Sequence, residues 1–407
     1  MKTKNNVVAQ ISNRIVNSMK PSLFVEYCYG IFRYRINGQS LKPIDLRMKI
    51  IAFIITSLWI SIAYIVCVIP KVKILFGDRV VLVNVVYALP WVVIGFHYAG
   101  TNFAMMIFHT ENNKKLLEIF AKIDISLQAN VNDQFYKTSR FECKKLIIIY
   151  IFFCVAMVTL NYFYKVEIDI TDLLFMLIYF ERKIELVVFF EIMFFLRQRL
   201  LLIRNYFIKF LSDRNHQISY TSKTIMKNVK LDKHVNFIGR LYDGNNKILD
   251  LATAYNNLGE AYALINNIYN MLIIMTIVSA FIFILAVFWT SLNFLKIKRN
   301  VQIVRMLLKA VVWSIAELCS IVIISYYCAK VLEAKKEIQS VLNNLLIHGN
   351  LPKNIRQQAK VFVELTEIWP MTFYVSNMFQ VNKKLVLKFI SICTSYLIVV
   401  IQFNDLI

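Results

Sequence analysis

The chain has 407 residues, 58% of them hydrophobic and 14% aromatic, with a mean hydropathy of +0.55. A water-soluble domain cannot hide that much apolar surface, so soluble enzymes and soluble binding modules are excluded and a polytopic membrane protein is expected. Only 9 Gly and 6 Pro favour long uninterrupted helices over strands and turns, and the net charge of +22 lies mainly in the segments between apolar runs, which argues against a nucleic-acid partner.

Residues 1–20 are polar and lack the apolar core of a cleavable signal, so the N-terminus is expected in the cytoplasm. Seven stretches, at about 49–69, 80–108, 146–164, 170–196, 268–290, 306–328 and 385–404, are long enough to cross a bilayer. The fold class is therefore all-α with seven transmembrane helices, N-terminus cytosolic and C-terminus extracellular. Lys and Arg are no denser on the assigned inner side than on the outer, and Lys296, Lys298 and Arg299 form a basic external loop. Loop length supports the orientation, because three short connections fall outside and the polar mass falls inside.

The fourth span is interrupted by Glu181, Arg182, Lys183 and Glu185, and the sixth carries Glu317. Ionisable groups in apolar stretches are rare and are paired or face water, so they form either a structural ion-pair network near midplane or the polar floor of a ligand cavity. Between spans four and five, residues 212–236 are the most polar and are read as a loop. Leu241, Ile248, Leu251, Tyr255, Leu258, Tyr262 and Ile265 then form an amphipathic stripe leading into span five. Leu332, Ile338, Val341, Leu345 and Leu346 continue span six until the break at Gly349–Pro352. A further helix over 353–369 has Val361, Leu365, Ile368 and Trp369 on one side. These stripes imply a cytosolic helical layer packed within and between subunits. The domains follow: 1–328 for sensing helices with cytosolic extensions, 329–384 for a cytosolic anchor, and 385–407 for the last helix.

Seven scattered cysteines, without a CxxC pair, point to apolar packing for most of them rather than a disulfide framework or zinc site. His97 and His109 have no partners at ligand spacing, so no metal is expected. No cofactor is expected either. The sequence has no Gly-rich phosphate loop, HExxH or nucleophile–base set, and an enzyme is not expected.

On the last helix Ser395, Val399, Gln402 and Leu406 share one face. An amide in hydrocarbon is costly without a polar partner or water. Copies of this face around an axis give a ring of valines that can dewet, with a ring of glutamines one turn further out. Otherwise Gln402 is simply hydrated at the headgroup level. Lys388 on the same face opposes a cation path, whereas Asp405 at the outer end favours one.

Ser395-Tyr396-(five apolar)-Gln402-Phe403 resembles the C-terminal signature of insect gustatory receptors, Thr-Tyr-(five apolar)-Gln-Phe, with serine for threonine. In that family a segment Gly-Phe-Phe-x-apolar-Asp/Asn precedes the threonine by twelve residues. Here Asn377-Met378-Phe379-Gln380-Val381-Asn382 lies at that spacing, with Phe379, Val381 and Asn382 matching and Asn377 and Met378 departing. The resemblance implies a chemoreceptor related to insect odorant receptors. It implies a ligand-gated cation channel, tetrameric around the seventh helix, in the plasma membrane of chemosensory neurons. By motif position, Gln402 would be the constriction and Val399 a gate residue, with Tyr396 and Phe403 supporting packing and Ser395 keeping the hydroxyl.

The implied ligand is a small tastant entering from outside. Tyr87, Trp91, Asn161, Tyr162, Tyr179, Trp289 and Trp313 lie at the corresponding depth of spans two to six, either as contacts or as ordinary interfacial aromatics. Trp313 is followed one turn later by Glu317. Other expected partners are further receptor subunits and membrane lipid. The alternative is a seven-helix G-protein-coupled receptor, but its Asp/Glu-Arg-Tyr and Asn-Pro-x-x-Tyr signatures are missing.

Overall fold

With little Gly or Pro to interrupt them, the apolar runs become long helices. The computed structural model describes residues 2–37, 40–64, 81–164, 170–215, 237–238, 245–297, 300–348 and 351–406. Within these, α1 (Lys2–Cys28), α2 (Leu46–Ala63), α3 (Val81–Ile107), α4 (Thr110–Ser126) and α5 (Asp133–Tyr164) lead into three long helices. These are α6 (Ile170–Asn215), α7 (Lys247–Ile297) and α8 (Asn300–His348), followed by α9 (Lys353–Ile368) and α10 (Lys383–Leu406). Strands β1 (Arg35–Asn37) and β2 (Ser40–Lys42) form one antiparallel hairpin, and β3 (Tyr374–Val375) and β4 (Phe379–Gln380) form another.

The protein is a multi-pass helical membrane protein. Asp133–Tyr162, Lys247–Trp289, Ala310–Ile347 and Lys383–Gln402 are long and apolar enough to cross a bilayer, and Val92–Ile107 is a shorter apolar helix. The other expected spans fall on α2, α3 and the charge-interrupted α6. Helices α6, α7 and α8 contain 46, 51 and 49 residues. At 1.5 Å per residue they are roughly 70–75 Å long, more than twice a ~30 Å hydrocarbon core, so α7 and α8 run well beyond a bilayer that they cross.

Helix α7 is the hub, packed against α3, α4, α6, α8, α9 and α10. Ile248, Leu251, Tyr255, Leu258, Tyr262 and Ile265 are all buried, as their spacing predicts, while Leu241 lies outside the described residues. They join a large core with α1, α4, the second half of α6 and the helices around the chain's end. A second core, around Tyr98, Tyr150, Tyr179, Phe283 and Trp313, fills the other end of the bundle. Loop expectation 212–236 falls mostly outside the described residues, although α6 runs to Asn215. Of the cysteines, Cys143, Cys328 and Cys393 are buried, Cys28 and Cys319 are exposed, and Cys67 lies outside the described residues.

Of the expected stripe on 353–369, Leu365 and Trp369 pack half-buried against the core, and the rest requires correction. Helix α9 buries Ile355, Gln358, Ala359, Phe362 and Thr366, whereas Val361 and Ile368 are exposed. The buried row includes Gln358 and Thr366, whose polar groups have partners. The Gln358 amide donates to the Asn245 carbonyl at 2.9 Å, and Gln339 donates to Thr366 Oγ1 at 2.9 Å. A hydropathy pattern penalises such residues even when their hydrogen bonds are satisfied.

Two polar devices tighten the packing around the larger core. Asp124 on α4 accepts from Arg199 at 2.7 Å and from Tyr136 at 2.8 Å. Burial pushes its carboxyl above the usual range, against the pull of Arg199 and Tyr136. At the end of α9, the Trp369 indole packs closely against Gly259 of α7 and donates to Asn256 Oδ1 at 2.9 Å. A β-carbon at position 259 would overlap that ring. Gly259→Ala should therefore destabilise the fold by about 1–3 kcal/mol through overpacking. Thermal melting of the purified protein by fluorescence-detected gel filtration would check this, and an unchanged midpoint would mean that Trp369 can move away freely.

Candidate functional site

Two regions meet the chemistry anticipated for a receptor, the last helix with its entry hairpin and a charged network inside the bundle. The hairpin turns through Ser376 and Asn377 at φ 45° and 57°, closed by the Met378 N–H donating to the Val375 carbonyl at 2.8 Å. Position 377 is where the resembled pattern has glycine. Asparagine tolerates the left-handed region better than other side chains, so the substitution keeps the turn. Val381 is buried, and its N–H donates to the Phe373 carbonyl at 2.8 Å. Asn382 caps α10, its side-chain oxygen accepting from the Lys384 N–H at 2.9 Å. Val381 and Asn382, two of the three matching residues, thus have local structural tasks.

Helix α7 holds this hairpin by two amides one turn apart. Asn266 Oδ1 accepts from the Tyr374 N–H at 3.1 Å, and Asn270 Oδ1 accepts from the Ser376 N–H at 2.9 Å. Above the hairpin, α10 buries the row Leu385, Phe389 and Cys393, and Tyr396 meets Phe281 of α7 edge to face at 5.3 Å. Ser395, Val399 and Gln402 lie roughly a third of a turn from that row and are exposed. The Ser395 hydroxyl donates to the Ser391 carbonyl at 3.0 Å and so is satisfied within its own helix. Gln402 has no hydrogen-bond partner among the described residues. The Phe403 side chain lies outside them.

Inside the bundle, Glu181, Arg182, Lys183, Glu185 and Glu191 of α6 are buried. Arg182 pairs with Glu317 of α8, and Lys183 Nζ lies 3.2 Å from Glu317 and donates to Ser320 Oγ at 2.7 Å. Arg182 also donates to Ser279 Oγ of α7 at 2.8 Å, and His97 Nδ1 of α3 lies 3.0 Å from that hydroxyl. Four helices are joined through one cluster.

A second cluster depends on the end of α1. Gly30, at φ 84°, closes that helix, with the Ile31 N–H donating to the Glu26 carbonyl at 3.0 Å and the Gly30 N–H to the Tyr27 carbonyl at 3.1 Å. The reversal brings Arg33 back onto Glu26, with bonds of 2.8 and 2.7 Å to its two oxygens. Arg33 also reaches Glu185 at 3.0 Å and Tyr269 OH at 3.1 Å. Glu191 accepts from Ser22 at 2.6 Å. Both carboxyl oxygens of Glu181 are buried without a hydrogen-bond partner among the described residues.

The candidate ligand residues divide. Tyr179 and Trp313 are buried and in contact, with ring centroids 4.8 Å apart at 71°, and Phe283 lies 5.7 Å from Trp313. The cluster rests on the ion network, with the Arg182 guanidinium 4.9 Å and Lys183 Nζ 4.8 Å from the Tyr179 ring. Asn161 is buried on α5, Tyr162 is 61% exposed and does not line that cluster, and Trp289 is half-buried near the end of α7. The side chains of Tyr87 and Trp91 lie outside the described residues. Sequence reasoning missed Glu26, Arg33, Ser279, Ser320 and Phe283. Gly30 was the available signal for the Arg33 reversal, whereas the serines and Phe283 carried none.

The sequence matches the family model described as 7tm chemosensory receptor over residues 19–407. The fold is similar to that of the insect olfactory receptor OR5 from Machilis hrabei, with a TM-score of 0.62 and 10% sequence identity. That match covers 97% of this chain and 100% of the other, and at this identity it is a likeness of fold. No curated protein matches the chain significantly.

Glu317→Gln keeps the side chain's shape but leaves Arg182 and Lys183 without their anion. Breaking such a buried pair costs about 3–5 kcal/mol, so folded yield and melting midpoint should fall sharply. The triple change Arg182→Met, Lys183→Met and Glu317→Leu removes all three charges together and should recover most of the loss. A Glu317→Gln protein that melted like the wild type would show that the network has no structural weight.

Proposed function

The chain belongs to the 7tm chemosensory receptor family, and from that premise we propose that it is a gustatory receptor subunit, a cation channel opened by a small tastant. In this reading α2, α3, α5, α6, α7, α8 and α10 are the seven spans, the N-terminus is cytosolic and the C-terminus extracellular. The observation that carries the channel reading is the last helix. Its base is fixed by the hairpin and by Asn266 and Asn270, while Ser395, Val399 and Gln402 are left uncovered by the chain's own packing. Four copies around an axis would cover them, with Val399 forming an apolar gate and Gln402 meeting the permeating ion.

Residues 329–384 serve as the cytosolic anchor between subunits, and the exposed Val361 and Ile368 of α9 supply apolar contact area. The tastant pocket lies in the outer halves of α3 and α5–α8, where Tyr179 and Trp313 offer aromatic area beside the charged groups of α6 and α8. Tyr87, Trp91, Asn161, Tyr162 and Trp289 complete the candidate lining. Plasma-membrane placement in chemosensory neurons follows from this role. Binding there shifts α7, whose Phe281 bears on Tyr396, and the seventh helices part so that Val399 leaves the axis.

An epitope placed after Ile407 should be labelled on intact cells. Labelling only after permeabilisation, with surface expression confirmed, would reverse the topology and remove the channel reading. In cells that give tastant-evoked current, Gln402→Lys should reduce cation conductance roughly tenfold or more at equal surface expression, because the ring would become cationic. Unchanged conductance and selectivity would place Gln402 outside the pore.

A further inference from the structure

Helices α1 and α5 leave a pocket of about 550 Å³ between Asn17, Lys20, Pro21 and Phe24 on one side and Arg140 and Lys144 on the other. Lys20, Arg140 and Lys144 are exposed, and none has an acidic partner among the described residues. The acids of α5 are engaged elsewhere, Asp133 with Arg14 at 3.5 Å and Glu142 with Lys145 at 3.9 Å. Three cations therefore converge on one recess without a counter-charge.

The depth of the pocket is set by α5. Ile148, Ile149, Ile151, Phe152 and Val155 are all exposed on the helix, so that stretch meets lipid. Lys144 and Arg140 precede the start of the apolar run by two and six residues, about 3 and 9 Å at 1.5 Å per residue. The headgroup layer on each side of the hydrocarbon core is roughly 5–8 Å thick, so the two cations straddle it. Phe24 lines the recess with 66% of its surface exposed and offers the apolar contact that an acyl chain needs.

We propose that this pocket holds a multiply phosphorylated lipid headgroup of the leaflet that faces α1. Lys20 and Lys144 act as point charges on phosphate, Arg140 offers a bidentate fork, and the Asn17 amide donates to a headgroup oxygen, while Phe24 lies along the first carbons of the acyl chain. A headgroup with a single net charge matches one of these cations and leaves the others unanswered. Occupancy ties α1 to α5 two residues before Ser22, whose hydroxyl donates to Glu191, and six before Glu26, the partner of Arg33. The lipid thus bears on the helix that completes the buried charge network. The inference rests on α5 as a membrane span and is independent of the pore and of the tastant.

The test is native mass spectrometry of the purified full chain titrated with dioctanoyl phosphatidylinositol 4,5-bisphosphate. Saturable binding is expected, weakened about fivefold by each of Lys20→Gln and Lys144→Gln and about 100-fold by the triple change that adds Arg140→Gln, at about 1 kcal/mol per charge. The single variants decide the matter if the triple variant does not fold, and lipid-free melting reports folding for each. Binding untouched by Lys20→Gln and Lys144→Gln would overturn the site. Dioctanoyl phosphatidylserine bound as tightly would overturn the requirement for multiple phosphates. Inositol 1,4,5-trisphosphate bound as tightly, with Phe24→Ser neutral, would assign the pocket to a soluble polyphosphate and overturn the lipid.

Discussion

Charges carried into the apolar layer must meet their counter-charges there, and this requirement sets the register of the bundle. Helices in lipid gain little register from apolar contact alone, because the lipid tails are as apolar as the side chains. Arg182 and Lys183 resolve the ambiguity by requiring Glu317 of α8 at their own height, and Ser279 and His97 bring α7 and α3 to the same level. A slip of one helical turn, about 5.4 Å, would separate Arg182 from Glu317 and leave both in a medium that solvates neither. Arg33 extends the constraint to a segment that is not a span at all. Its fork on Glu26 and its bond to Glu185 fix the end of α1 against α6, and the Gly30 reversal makes that approach possible.

Much of this architecture was legible in the sequence, for physical reasons that differ from part to part. The stripe from Ile248 to Ile265 was readable because apolar side chains recur at the helical period and the whole row is buried along one hub. The hairpin motif was readable as a resemblance, and its residues turn out to be a left-handed turn, a buried valine and a helix cap. Together with Tyr396, Gln402 and Phe403 it pointed to the receptor family that the match over residues 19–407 bears out. The face of α9 was misread in part, at Val361 and Ile368, because Gln358 and Thr366 count as polar in a pattern and as satisfied in the fold. Arg33 drew no notice in the sequence, since nothing local reveals a partner 152 residues away. The contact of Tyr179 with Trp313 is long-range in the same way, and spacing carries no record of it.

The last helix shows the converse situation, a segment that its own chain leaves incomplete. One side is closed by Leu385, Phe389 and Cys393 against α7 and α8. Lipid suffices for exposed residues such as Leu387, Ile392 and Ile398, but does not satisfy the amide of Gln402. Within the proposed tetramer the same rotation that leaves Gln402 outside the subunit turns it toward an axis, where water and ions supply its hydrogen bonds. The Ser395 hydroxyl makes no such demand, because it is already bonded to its own backbone. The serine-for-threonine departure therefore leaves the polar side of that face unchanged and removes only a methyl.

Helix α7 is the element through which the proposed ligand site and the proposed gate share a lever. Ser279 and Phe283, one turn apart, look onto the charge network and the Tyr179–Trp313 cluster, while Phe281 between them projects to the opposite side and meets Tyr396. Lower on the same helix, Asn266 and Asn270 grip the hairpin from which α10 springs. A ligand that displaces α7 at 279–283 thus pushes on the upper part of α10 while the base stays bonded. A rod held at one end and pushed near the other pivots, so the displacement is greatest beyond Tyr396, where Val399 and Gln402 lie. Sliding of the whole helix would instead require the bonds from Asn266 and Asn270 to break first. The positions of these few side chains therefore favour an outward tilt of the last helix as the opening motion.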